Sequence, residues 1–185
     1  EDEAGRMSRL LDDLLSLSRL ELDEHIPPDE KIPIVAQIRA VCATLVNKAS
    51  KRGMTIKMIV RRGLPKSTRI LGNYDEVSEV FVNLIENAIK YGNESSKIKV
   101  IISLAEPSSI RIDVINRGEG IEKKHIPRLS ERFYRVDKAR SRQIGGTGLG
   151  LAIVKHIVNR HRGEMVISSQ PGLSATFSII LPINP

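Results

Sequence analysis

The 185-residue sequence contains no tryptophan, three phenylalanines, three tyrosines and one cysteine, and no apolar run approaches the roughly 20 residues that span a bilayer. With so few aromatic rings, Leu, Ile and Val must build the core, and no strip of stacking platforms for nucleic-acid bases is present. Cys42 has no partner for an internal disulfide, no CxxC companion and no neighbouring His cluster. It is expected to be a small buried hydrophobe in a reducing compartment. Neither a membrane span nor a charged-then-apolar leader is evident, so the expectation is a soluble, cytoplasmic piece without direct membrane contact. The length suits one full-sized domain plus an appendage.

Positive charge is what the sequence has in excess, at a formal +7. The densest basic stretch (Lys123, Lys124, Arg128, Arg132, Arg135, Lys138, Arg140, Arg142) lies just before a glycine-rich turn. There is no zinc-ligand set and no recognition helix, so a small phosphate ligand explains this placement better than nucleic acid does.

Residues 1 to 23 carry Met7, Leu10, Leu11, Leu14, Leu15, Leu17 and Leu20 at helical spacing, an apolar stripe that needs a partner. A dimeric helical bundle is the expected form, with docking on the chain's own domain as the alternative. Ile26-Pro27-Pro28 ends the helix, and a linker is expected through Pro33. Periodicity then predicts helices over 34–51, 75–90 and 149–161. Alternation predicts strands over 54–60, 69–72, 98–104, 110–115, 165–168 and 175–181. This order implies an α+β fold, a two-layer α/β sandwich with a largely antiparallel sheet. Between Ile121 and Gly146 the pattern dissolves into charge around one aromatic island, Phe133-Tyr134-Arg135, and such a length of loop is expected to be a mobile lid over a ligand.

Three local patterns carry chemistry. Asn83 and Asn87 lie one turn apart, at the edge of the apolar stripe Val80, Leu84 and Ala88, with Lys90 and Tyr91 at the helix end. Carboxamides there offer oxygens to a hard cation or N–H groups to phosphate. Asn116-Arg117-Gly118-Glu119-Gly120 follows a strand directly, and its glycines allow close backbone approach. Gly145-Gly146-Thr147-Gly148-Leu149-Gly150-Leu151 runs into an apolar helix, whose free N–H groups and dipole favour an anion.

In this order the motifs resemble the catalytic ATP-binding domain of sensor histidine kinases, within the superfamily shared with gyrase, Hsp90 and MutL. Asn83 to Tyr91 is similar to the N box, Asn116 to Gly120 to the G1 box, Phe133 to Arg135 to the F box and Gly145 to Leu151 to the G2 box. Ile126-Pro127-Arg128-Leu129 through Asp137 is most like the phosphate-regulon sensor kinases. The resemblance implies a Bergerat-type fold over 34–185, a linker over 26–33, and over 1–25 the C-terminal part of a second dimerisation helix. It implies ATP and Mg²⁺ as cofactors, with Asn87 on the metal and Asn83 and Lys90 at the phosphates. Tyr91, Asn116, Gly118, Gly120 and Ile121 would lie around the nucleotide, and Gly146, Thr147, Gly148, Leu149 and Gly150 would close over the triphosphate. The implied partners are the phosphoacceptor helix of the same or a sister protomer, a response regulator receiver domain, and a second copy in a full-length homodimer anchored in the inner membrane.

One position bears on the choice of activity, and two further features depart from the family's pattern. Asn83 occupies the place where hydrolysing members of the superfamily carry a glutamate base, and an amide cannot act as that base; phosphoryl transfer is therefore favoured over hydrolysis. Asn116 stands where the G1 box has an aspartate that accepts from adenine's amino group, so weaker ATP binding and relaxed base choice are expected. His25, His125, His156 and His161 all lack the acidic residue and proline that follow a phosphoacceptor. The acceptor is expected upstream of Glu1.

Overall fold

The computed structural model describes residues 3–23, 25–65, 67–105, 108–137 and 146–183. Its elements in chain order are α1 (Glu3–Leu22), β1 (Glu30–Pro33), α2 (Ile34–Ser50), β2 (Thr55–Val60), β3 (Arg69–Gly72), α3 (Tyr74–Tyr91), β4 (Lys97–Ala105), β5 (Ser109–Arg117), α4 (Gly150–Arg160), β6 (Glu164–Gln170) and β7 (Ser174–Pro182), with a 3-10 turn at Ile126–Arg128. Five strands form one sheet in the order β2-β4-β5-β7-β6. Only β2 and β4 run parallel, and the other three pairings are antiparallel. This matches the expected two-layer α+β architecture.

Alternation along β4 and β5 explains the layering. Ile98, Val100, Ile102, Ile110, Ile112 and Val114 are fully buried, while the residues between them stay partly or wholly exposed. One face of the sheet therefore meets the helices, which present Ile38, Val41 and Leu45 from α2, Val77, Phe81, Leu84 and Ile85 from α3, and Ile153, Val154 and Ile157 from α4. Truncating any of these buried aliphatic side chains to alanine removes about 2–5 kcal/mol. Cys42 belongs to this layer, and burial pushes its thiol up to about 11, consistent with an inert packing residue.

α3 starts where Asn73 accepts a hydrogen bond from the Glu76 backbone N–H at 3.0 Å, an N-cap worth about 1 kcal/mol. At its far end Arg52 donates to the carbonyls of Ile89 and Lys90, satisfying acceptors that the helix leaves open. Gly92 and Gly118 then join in an isolated antiparallel bridge, and the Asn93 N–H donates to Arg117 O at 2.8 Å. The ends of α3 and β5 are thereby brought side by side.

Two expectations are corrected in detail. Part of the predicted linker, Glu30–Pro33, is a strand paired antiparallel with β3, from Glu30 opposite Gly72 to Pro33 opposite Arg69. The apolar stripe of α1 is divided between two surroundings. Leu17 and Leu20 are buried against the chain's own domain, where α1 meets α4, whereas Met7, Leu11, Leu14, Leu15 and Leu22 are exposed. Polar contacts hold the docked face: Ser16 donates to Glu79, Arg132 pairs with Glu21, and Arg160 Nε donates to the carbonyls of Asp23 and Ile26 at 3.1 and 3.2 Å.

Candidate functional site

The sequence motifs meet around a cavity of about 370 Å³. α3 contributes Asn83, Glu86, Asn87, Lys90 and Tyr91 to its wall, the end of β5 and the following turn contribute Asn116, Glu119, Gly120 and Ile121, and the glycine-rich turn contributes Gly146, Thr147, Gly148 and Gly150. Leu149 is fully buried as the N-cap residue of α4, and Gly118 serves the bridge to Gly92. Of the residues expected at the site, eleven line the cavity directly, and these two support its walls. Gly145, Lys138, Arg140 and Arg142 lie outside the described residues.

The cavity has two chemically distinct ends. At one, Asn83 Nδ2 donates to Glu79 O of its own helix at 3.1 Å, which turns Oδ1 toward the first residue of α4. A Cβ on Gly150 would come within 2.6 Å of that oxygen, so any side chain there displaces the Asn83 carboxamide from its place beside α4. The first N–H groups of α4 have no carbonyl one turn back; Leu149 N–H finds the Thr147 hydroxyl at 3.3 Å. Lys90 stands nearby, and burial lowers its pKa while Glu86, 3.8 Å away, opposes the shift. Lys48 holds the same Glu86 at 2.5 Å. At the other end Asn116 is 5% exposed, flanked along the wall by Ile121, Ala175 and Phe177. Gly120 fixes the turn there with φ +67°, a conformation that L side chains rarely adopt, and Ile121 N–H donates to Ser169 Oγ at 2.8 Å.

The aromatic island of the charged loop is seated rather than free. Phe133 takes φ +62°, unusual for a bulky residue, and its N–H donates to Gly148 O at 2.9 Å. Tyr134 lies under the Arg128 guanidinium, 4.2 Å from the ring centroid, and its hydroxyl meets His125 Nδ1 at 2.7 Å. The segment 125–137 therefore closes one side of the cavity through Leu129, Tyr134, Arg135, Val136 and Asp137.

Sequence reasoning missed the contribution of α1. Arg9 and Asp13 line the cavity, and the Thr147 hydroxyl donates to Asp13 Oδ2 at 2.5 Å. Burial raises the Asp13 pKa against the pull of Thr147 and Lys90, and burial likewise raises that of Glu79 despite the Ser16 hydrogen bond. No local signal marks Asp13, which is one of several acidic residues on an amphipathic helix.

The profile described as "Histidine kinase-, DNA gyrase B-, and HSP90-like ATPase" matches residues 72–185. The chain belongs to this family. It is 39% identical over 96% of its length to the phosphate regulon sensor protein PhoR of Pseudomonas aeruginosa, and 34% identical over 99% to the sensor-like histidine kinase SenX3 of Mycolicibacterium smegmatis. It spans 39% and 46% of those two relatives. Among solved structures, full-length ShkA in complex with AMPPNP superposes with a TM-score of 0.84 at 25% identity, covering 98% of this chain and 37% of that one. The Acinetobacter baumannii histidine kinase AdeS superposes at 0.74 and 22% identity over 96% of this chain and 79% of its own, which bears on the fold alone. The predicted superfamily, fold and catalytic-domain character are thus borne out.

Proposed function

We propose that the cavity binds ATP with Mg²⁺ and that the chain is the catalytic part of a sensor histidine kinase. The observation that carries this reading is the meeting of Asn83, Asn87 and Lys90 with the start of α4 across one cavity, because amides, a cation and unpaired helix N–H groups together suit a triphosphate. The same end suits magnesium, which keeps few protein ligands and takes the rest from phosphate oxygens and water; Asn87 would hold it through its amide oxygen. When bound, the ion neutralises phosphate charge. Lys90 adds to that neutralisation, Asn83 orients the phosphates against Gly150, and the loop through Tyr134 and Gly148 excludes water.

In the proposed reaction the bond between the γ-phosphorus and the β–γ bridging oxygen breaks, ADP leaves, and a phosphorus–nitrogen bond forms to a histidine imidazole. Nothing more than positioning and charge stabilisation is asked of the protein. The acceptor lies on a dimerisation helix that precedes this chain, of which residues 1–25 form the C-terminal part of the second helix. Residues 26–33 connect it to the catalytic part, residues 34–185, and the end of that connection forms β1. A response regulator receiver domain receives the phosphoryl group in turn, and the complete protein is a homodimer whose catalytic part faces the cytoplasm from the inner membrane.

The experiment is to supply the preceding dimerisation segment and follow label from γ-³²P ATP into acid-labile, base-stable phosphohistidine. Transfer that disappears in an Asn87→Ala variant supports the reading. Nucleotide binding without transfer assigns the chain instead to regulation or docking, and loss of both refutes it.

A further inference from the structure

Both carboxylate oxygens of Glu86 face a lysine, and the two lysines come from different helices. Lys48 of α2 reaches Glu86 Oε1 at 2.5 Å, while Lys90, one turn along α3, stands 3.8 Å from Oε2. All three side chains line the cavity. α2 holds this part of α3 a second time, since Arg52, one turn after Lys48, donates to the carbonyls of Ile89 and Lys90. As a support for the fold the Lys48–Glu86 pair counts for little, because ion pairs between partly exposed side chains add little to stability. Its place beside Lys90 gives it another role.

Glu86 creates an electrostatic conflict there. Burial disfavours the charged form of Lys90, and Glu86 is the largest influence opposing that effect. The same carboxylate lines the end of the cavity that suits phosphate, where an unscreened negative charge repels a triphosphate and competes with it for Lys90. Lys48 resolves the conflict. Glu86 carries one negative charge between two positive ones, so the trio presents a surplus of one positive charge to the cavity. Without Lys48, Glu86 would cancel Lys90 and the surplus would vanish. Arg9 and Asp13 of α1 also act on Lys90, with opposite signs.

We infer that Lys48 is a positioning residue of the nucleotide site: it takes up the charge of Glu86 and so frees Lys90 to meet phosphate. Lys48 acts through Glu86 and not by touching phosphate itself. The inference rests on the nucleotide reading above and adds to that site a residue of α2, which carries none of the sequence motifs around the cavity.

The test is calorimetric titration of adenosine, and of ATP with magnesium, into the 185-residue chain, Lys48→Met, Glu86→Gln and the double variant, each checked for folding by circular dichroism. Two residues that act through one another are non-additive in such a cycle. In Lys48→Met the ATP dissociation constant rises about fivefold or more while that of adenosine changes by less than about twofold, because only phosphate meets the altered charge. In the Glu86→Gln background the cost of losing Lys48 falls to less than about half of that. Lys48→Arg keeps the charge and retains the parent affinity. A smaller ATP loss in Lys48→Met, an equal loss for adenosine, a loss in Lys48→Arg, or a cost undiminished in the Glu86→Gln background each overturns the inference. The last of these makes Lys48 a direct phosphate contact. Any of them alongside ATP binding by the parent chain spares the nucleotide reading, whereas a parent chain that leaves ATP unbound refutes both.

Discussion

Replacing Asp13 by Asn is expected to tighten ATP binding. The Asp13 carboxylate accepts from the Thr147 hydroxyl at 2.5 Å and lines the same end of the cavity as Lys90, where the proposed reading puts the triphosphate. An asparagine keeps the volume and an acceptor for Thr147 and removes only the negative charge. Two unit charges 4 Å apart interact by about 4 kcal/mol at an effective dielectric of 20 and about 1 kcal/mol in water. Asp13 is only partly shielded from solvent, so the lower half of that range applies, about 1–2 kcal/mol. That is roughly a five- to thirtyfold tightening. Calorimetry with adenosine, ADP and ATP reads it out: the gain should grow with phosphate number and be absent for adenosine. The gap between parent and variant should also narrow as pH falls through the raised carboxyl pKa, because protonated Asp13 is itself neutral. Equal tightening for adenosine and ATP, or none for either, would show that Asp13 does not share space with phosphate.

Gly150→Ala places a Cβ 2.6 Å from Asn83 Oδ1, so ATP affinity should fall about tenfold or more, while urea denaturation shifts by less than about 1 kcal/mol because alanine is the better helix former. Arg160→Met breaks the buried pair with Glu76 together with the hydrogen bonds to the Asp23 and Ile26 carbonyls, with an expected loss of about 3–5 kcal/mol in urea stability, of which Glu76→Gln added to it should recover only the part owed to the stranded carboxylate. His161 is buried; its Nε2 accepts from the Asn73 N–H at 3.0 Å while Nδ1 donates to Ile157 O at 2.7 Å, so the folded state holds it neutral. Burial lowers its pKa below the usual 6.5, so the unfolded chain binds the extra proton first; the stability it contributes is present above about pH 6.5 and is lost as pH falls toward the folded value. Urea midpoints from pH 7.5 to 5.5 should therefore fall more steeply in the parent than in His161→Gln, and parallel profiles would contradict that assignment.

The residues legible in the sequence share one property: their roles follow from neighbours close in the chain. Asn83, Asn87 and Lys90 are fixed by helical spacing, and Gly118, Gly120 and Gly148 by the turns they allow. The β5 and β7 strands announce themselves by alternation, as in Ile110, Ile112 and Val114. What was missed depends on residues far apart. Asp13 meets Thr147 across 134 positions, Arg160 meets Glu76 across 84 and Ser16 meets Glu79 across 63. Each is a polar pair whose members look like ordinary surface residues until the fold joins them. β1 escaped notice because four residues ending in proline carry too little alternation to read as a strand, and only the pairing with β3 defines it. The stripe of α1 was legible as apolar, but its division into buried Leu17 and Leu20 and exposed Leu11 and Leu15 is set by where the domain surface lies.

α4 touches two places that the chain keeps far apart in sequence. Its first residue abuts Asn83 at the cavity, and its last, Arg160, grips the backbone just after α1 at Asp23 and Ile26. An 11-residue helix is a rigid rod of about 16 Å. Whatever enters the cavity and presses on Gly150 therefore pushes one end of a lever whose other end holds the joint between α1 and the sheet. The two ends cannot shift independently without bending the rod or releasing Arg160.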